Sequence, residues 1–257
     1  LFIVPPSPQW FEGPGQYLLS FVYGALSLIL AAAAALVVFR VLTGFGFVNR
    51  SLVSESYTQP INDFIQRYGS LAIWVLLLIG FYRVSDIVLG VIANVFYQDM
   101  GYSKDEIASV TKIFGVLMTI VGSFFGGFLT LKYGVMRVLM LGAILVSLTN
   151  LMFMWLAGVD ANIFALTLVI AADNLSGGVA VAAFVAWLSS LTNISFTATQ
   201  YAMFSSIMTL FPKLLGGYSG TVVASVGYSS FFLIAGAMGL PVIVLIWYLN
   251  RRIETSA

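Results

Sequence analysis

A chain of 257 residues with 60% hydrophobic and only 8% charged residues, a formal net charge of +1 and a mean hydropathy of +1.02 is not a soluble domain, in which about 25% of residues are charged. Its 11 Lys and Arg are scattered rather than gathered into a patch, so no nucleic-acid partner is expected. The absence of Cys and His removes disulfides, thiolate chemistry and the usual transition-metal ligands. It leaves carboxylates as the groups able to carry protons, with no metal or cofactor expected.

The apolar runs are about 20 residues or longer, as membrane helices require, and lack the alternating polarity of barrel strands. The expected class is an all-α polytopic membrane protein with the lipid bilayer as its solvent. Residues 1–16 are Pro-rich and lack the basic start of a signal peptide, so the chain reads as the later part of a longer protein. Seven spans follow, over about 17–39, 71–97, 107–131, 138–157, 163–191, 199–224 and 228–249. They divide the chain into an outer segment with one additional transmembrane helix (1–40), a cytoplasmic connector (41–70) and a six-helix transporter half (71–257). Placing the C-terminus in the cytoplasm puts Arg40, Arg50, Arg67, Lys132, Arg137, Arg251 and Arg252 inside and only Lys104 outside, the orientation favoured by the bias of Lys and Arg. In the connector, Ile61, Phe64, Ile65 and Tyr68 recur at helical spacing, which fits either a segment lying on the membrane or a surface linker helix.

Within the spans the polar residues are few and spaced. Arg83, Asp86, Gly90, Asn94 and Tyr97 fall at steps of three or four and make one polar or small face expected to line a cavity. The plain alternative is an Arg83–Asp86 pair at i, i+3 that only neutralises itself. In the next span Lys112, Gly115, Thr119, Gly122 and Gly126 share a face on which the glycines permit close helix approach. Lys112 either faces a ligand or snorkels outward. The run Asp173-Asn174-Leu175-Ser176-Gly177-Gly178 sets an acid and an amide before paired glycines that can loosen or bend a helix. Pro212-Lys213-Leu214-Leu215-Gly216-Gly217 puts a cation directly after a helix breaker, as a gating segment would. A charge at the bilayer centre costs at least about 2.5 to 3.5 kcal/mol, so Arg83, Asp86, Asp173 and Lys213 are expected to face partners, a cavity or a substrate. Asp173 and then Asp86 are the expected proton-coupling acids, and a fixed Asp173–Lys213 ion pair is the structural alternative.

The loop Gly127-Phe128-Leu129-Thr130-Leu131-Lys132-Tyr133-Gly134-Val135-Met136-Arg137 resembles the major facilitator loop signature, with Leu131 standing where that family has an acid. The runs Tyr82-Arg83-Val84-Ser85-Asp86, Ala172-Asp173-Asn174-Leu175-Ser176-Gly177-Gly178 and Ala198-Thr199-Gln200-Tyr201 through Lys213-Leu214-Leu215-Gly216-Gly217 resemble the AmpG-type muropeptide permeases, from about residue 71 onward. The resemblance implies a bacterial inner-membrane major facilitator, multi-pass with its C-terminus cytoplasmic. Its implied activity is proton-driven import of anhydromuropeptides for cell-wall recycling, with an N-terminal half of the same transporter as partner. The residues fit such a small-molecule substrate independently. Peptide carboxylates suit Arg83, Lys112 or Lys213, while sugars suit Asn94, Asn174 and Gln200 with aromatic neighbours such as Tyr97 and Trp187. Two readings stay open beside it: a related carrier for another substrate such as acetyl-CoA, and a non-transporting membrane sensor or scaffold for cell-wall fragments. No nucleophile and base constellation points to an enzyme. A weak internal repeat is also visible, each three-helix unit carrying an acid on its first helix (Asp86, Asp173) and a lysine on its second (Lys112, Lys213).

Overall fold

The computed structural model describes residues 16–44, 51 and 54–254, and every regular element among them is helical. The chain forms two compact units, Leu1–Pro60 and Ile61–Ala257. In the first, α1 (Gln16–Gly44) is a 29-residue helix with no acid and Arg40 as its single charge. At 1.5 Å per residue it is about 44 Å long, sufficient for a hydrocarbon core of about 30 Å.

In the second unit, α2 (Gln59–Tyr68) contributes its residues from Ile61 onward and leads through a 3₁₀ turn at Gly69–Leu71 into α3 (Ala72–Phe81). There follow α4 (Val84–Asp99), α5 (Lys104–Tyr133), α6 (Val135–Leu156), α7 (Ile163–Leu191), α8 (Thr197–Gly216), α9 (Ser219–Ala237) and α10 (Gly239–Glu254). Five stretches of the described residues are long and apolar enough to cross a membrane: Ser54–Asp99, Lys104–Tyr133, Val135–Leu156, Ile163–Leu191 and Ser219–Arg252. The more polar α8, carrying Thr199, Gln200, Ser205, Ser206, Thr209 and Lys213, runs beside α3 and α4.

Local chemistry sets the helix ends. Ser103 and Glu106 form a capping box that starts α5: Oγ of Ser103 accepts from the Glu106 amide at 3.3 Å, and Oε2 of Glu106 accepts from the Ser103 amide at 2.8 Å. Gly134, at φ 87°, supplies the one-residue reversal into α6, a conformation costly for any residue with a Cβ. Asn162 caps α7 by accepting from the amides of Phe164 and Ala165. Gly227, at φ 78° and ψ 169°, breaks α9 inside the connection expected between residues 224 and 228. Two irregularities have a helical glycine beside them, Gly80 and Gly115, that is not itself the break. The expected single span 71–97 is two helices, with Arg83 off helical geometry at φ −99°, ψ 13°, and Ala108–Phe114 at the start of α5 is π-helical.

Packing follows a reciprocal plan. The second helix of each three-helix unit lies parallel to the first helix of the other: α5 on α7, and α8 on α3 and α4. Tight glycines set the α5–α7 contact. A Cβ on Gly122 would stand 2.2 Å from the Leu175 carbonyl oxygen, and one on Gly178 would stand 2.4 Å from that of Thr119. In lipid this close backbone approach, rather than hydrophobic burial, holds helices together. The paired glycines therefore do not loosen α7, which runs unbroken through both; Gly178 is consumed by the α5 contact, while a Cβ on Gly177 would meet nothing. α6 packs on α7, α9 and α10.

The two adjacent glycines make a sharp test. Gly178→Ala should destabilise the detergent-solubilised protein by about 1–3 kcal/mol, because backbone must move to admit the methyl. Gly177→Ala should be neutral or stabilising by up to about 1 kcal/mol through helix propensity. Thermal unfolding of both variants checks this; equal effects would contradict the packing.

Candidate functional site

The break between α3 and α4 puts Arg83 at the N-cap and Asp86 in the first turn of α4, where the helix dipole favours an acid. The Arg83 guanidinium donates to the Asp86 carboxylate, and both side chains are 30% exposed. Tyr82, at the break, is buried. It stacks on Phe184 at 4.5 Å between centroids, and its hydroxyl donates to the Leu139 carbonyl at 3.1 Å, tying the break to α6 and α7. A small cleft lies beside it, lined by Arg83, Asp86, Ser147, Gly177 and Val181, with about 10 Å³ of space, room for one water molecule at most.

Asp173, on α7, accepts a hydrogen bond from Thr149 of α6 at 3.1 Å. Asp86 and Tyr97 both lie within electrostatic range of it. The neighbouring Asn150, 1% exposed, donates to Ser85 Oγ at 3.0 Å and to the Val146 carbonyl, and Ser85 in turn donates to the Ala235 carbonyl at 2.7 Å. Asn150 Oδ1 is buried with no donor, an acceptor that a water or a protonated group would satisfy. Asn174 accepts from Thr119 of α5 at 2.9 Å and donates to the Ile170 carbonyl. Arg83, Asp86, Ser85, Thr149, Asn150, Asp173, Asn174 and Thr119 thus make one polar layer through four helices of an otherwise apolar bundle.

The other expected site residues are placed differently. Lys112, on the π-helical segment, and Lys213 are exposed; among the described residues neither forms an ion pair with Asp173. Lys213 nevertheless stands at the depth of the break, since Phe211 abuts Gly80 and Gly216 abuts Val91. Pro212 is buried and α8 continues past it to Gly216, with Gly217 next at the helix end. Asn94 is exposed, whereas Tyr97 and Trp187, each 3% exposed, are packed among Phe96, Phe153 and Phe184 rather than facing open space. Gly115 approaches Asn174, and Gly126 approaches the Val179 backbone. Thr149 and Asn150 were not among the residues expected from the sequence; an uncharged polar pair within Val135–Leu156, they carry no distinguishing sequence signal.

Gln200, expected near a sugar, is 1% exposed inside a different network. Its Oε1 accepts from Arg67 at 3.1 Å and from the Asn193 amide at 2.8 Å, and its Nε2 donates to Asp63 at 2.8 Å. Arg67 also pairs with Asp63 at 2.9 Å and donates to the Leu191 carbonyl at 3.0 Å. With Phe64 buried against Phe204, this docks α2 onto the facing ends of α7 and α8. Partial burial raises the Asp63 pKa, but hydrogen bonds from Gln200, Asn193 and Arg67, with the Arg67 charge, outweigh it and hold the carboxyl below its ordinary value.

Residues 75–257 match the model of the Major Facilitator Superfamily. The chain is 33% identical over 206 residues to a putative transporter AmpG 4 of Rickettsia felis, covering 79% of this chain and 49% of that protein. It is 30% identical over 203 residues to the anhydromuropeptide permease of Escherichia coli K12, covering 79% and 41%. With a putative transporter AmpG 2 of Rickettsia prowazekii it shares 28% over 237 residues, covering 91% and 57%. The chain spans about half the length of the curated relatives it matches.

The Asp63 network predicts a pH dependence whose sign is fixed by the lowered folded pKa. The stabilisation that Asp63 contributes is complete above its ordinary value of 3.8 and is lost as pH falls through the still lower folded value. The stability difference between wild type and Asp63→Ala should therefore be constant across about pH 5 to 8 and shrink below about pH 4. Thermal unfolding across that range checks it; a difference that grows on acidification would contradict the network.

Proposed function

The chain belongs to the major facilitator superfamily, and from that premise we propose that it is the C-terminal six-helix half, with one additional transmembrane helix, of a proton-coupled importer of anhydromuropeptides in the bacterial inner membrane. The observation that carries the reading is the polar layer, in which one cation, Arg83, stands among two acids, Asp86 and Asp173. With all three ionised the group is net −1, and a single proton makes it neutral. Neutrality favours movement through an apolar bundle, so the layer takes up a proton to move, and a substrate carboxylate at Arg83 adds a negative charge that a further proton, carried inward with the substrate, would balance. A substrate carboxylate arriving at Arg83 would compete with Asp86 for the guanidinium, and the proton that balances the added charge is assigned to Asp173, within electrostatic range of Asp86. Alternating access then links substrate and proton as differential binding to the two orientations of the transporter.

The substrate class rests on the AmpG-named relatives together with chemistry suited to it: a guanidinium for peptide carboxylates, and Asn94, Asn174 and the exposed Lys213 for further polar groups. In the second unit, Arg67, Lys132, Arg137, Arg251 and Arg252 lie at one end of the helices and Lys104 at the other. This supports a cytoplasmic C-terminus by the bias of positive charge. An N-terminal half supplies the rest of the pathway in this account.

The test is uptake of labelled anhydromuropeptide by the full-length protein in energised membrane vesicles, beside labelled acetyl-CoA. Saturable muropeptide uptake abolished by a protonophore is expected, with no acetyl-CoA uptake and at least about a tenfold loss in Arg83→Gln, from removal of a charge-assisted hydrogen bond. Acetyl-CoA uptake in its place would assign the chain to a carrier for another substrate, and muropeptide binding without uptake would make it a sensor.

A further inference from the structure

Among the described residues, a large apolar groove opens on the outer surface of the bundle. It lies between α3, the end of α8 and α10, holds about 920 Å³, and is lined by Trp74, Phe81, Leu215, Leu240, Trp247 and Tyr248 among others. That is at the upper end of the range for small-molecule sites, about 300–1,000 Å³. Along α10 the lining runs from Met238 to Tyr248, about 15 Å at the helical rise, so the groove is elongated along the membrane normal. Left empty, its walls would lose dispersion contacts on one side.

The chemistry at one end of the groove identifies its occupant. Trp74 and Tyr248 meet there at 5.4 Å between centroids, where α3 begins and α10 ends, as an interfacial aromatic pair would. One turn further along α10, Arg251 lies over the Trp247 ring at 4.2 Å and Arg252 over the Tyr248 ring at 5.6 Å. Two of the rings that line the groove therefore each carry a guanidinium, one turn beyond the last lining residue, and the local sequence Arg251-Arg252-Ile253-Glu254 is net positive. An apolar slot about one leaflet long with two arginines just beyond its end complements an acyl chain ending in a phosphate. A helix complements it less well: α1 carries no acid and one arginine, and a second copy of this chain would bring its own arginine pair.

We propose that this groove is a site for an anionic phospholipid, one acyl chain lying between α3 and α10 and the phosphate held by Arg251 and Arg252. The lipid belongs to the leaflet on the side of Arg67, Lys132 and Arg137. The site follows from the fold alone and does not depend on what is transported.

Native mass spectrometry of the delipidated full-length protein, with thermal unfolding alongside, tests it using dioleoyl phosphatidylglycerol, dioleoyl phosphatidylcholine and soluble glycerol phosphate. Phosphatidylglycerol should bind and raise the unfolding temperature, phosphatidylcholine should do so far less, and glycerol phosphate should have no effect. The Arg251→Gln/Arg252→Gln variant should lose roughly thirtyfold in phosphatidylglycerol affinity, the worth of two interfacial cations. Val244→Trp, at a lining position 62% exposed, should fill the groove and weaken both lipids while leaving the arginines in place. Equal binding of the two lipids to wild type, phosphatidylglycerol binding undiminished in the arginine variant, or binding undiminished in Val244→Trp would overturn the proposal.

Discussion

Hydrocarbon offers no partner to a polar group, so any backbone break or charge inside the bundle must be satisfied by the protein itself. The break between Phe81 and Val84 is where this constraint bears hardest. It interrupts a membrane helix and exposes a charge pair, and it persists because Tyr82 anchors it to α6 and because Arg83 and Asp86 answer one another. Around that point the polar layer is assembled from short side chains on neighbouring helices that bond in pairs, Ser85 with Asn150 and Thr149 with Asp173. The layer is thus a consequence of the break as much as a site placed beside it.

The glycines serve the same constraint from the other side. Gly122 and Gly178 bring α5 and α7 close enough for Thr119 to reach Asn174, and the parallel pairing of α8 with α3 and α4 brings Lys213 to the depth of Arg83. The two three-helix units exchange their second helices, so each acid-bearing helix packs against the lysine-bearing helix of the other unit. This gives physical content to the weak repeat in the sequence: the repeat is of packing partners, and the lysines do not close it as ion pairs.

Composition and hydrophobic run length were enough to read the class and most helix limits, since a bilayer imposes both directly. Gly134 falls within the loop expected between two spans and Gly227 within the expected connection between residues 224 and 228, and both take the positive φ that glycine allows. What the sequence hid was local: Gly80, three residues before the break at Arg83, stays helical and makes room for Phe211, and the π-helical entry to α5 has no composition that sets it apart. Gln200 looked like a ligand group because its true partners, Asp63 and Arg67, are more than 130 residues away. Tyr97 and Trp187 sit on the polar side of a helical wheel yet are consumed by aromatic packing, a distinction that periodicity cannot make. Thr149 and Asn150 carry no distinguishing sequence signal, because uncharged polar residues are common in membrane helices.

On the proposed mechanism Asp173 couples movement of substrate to movement of a proton. Comparing uphill uptake with counterflow exchange in the Asp173→Asn full-length protein tests it most directly, because exchange needs substrate binding and alternation but no net proton transfer. The account predicts that the variant exchanges labelled for unlabelled muropeptide at close to the wild-type rate while failing to concentrate it. A variant that still concentrates substrate in response to a proton gradient would contradict it.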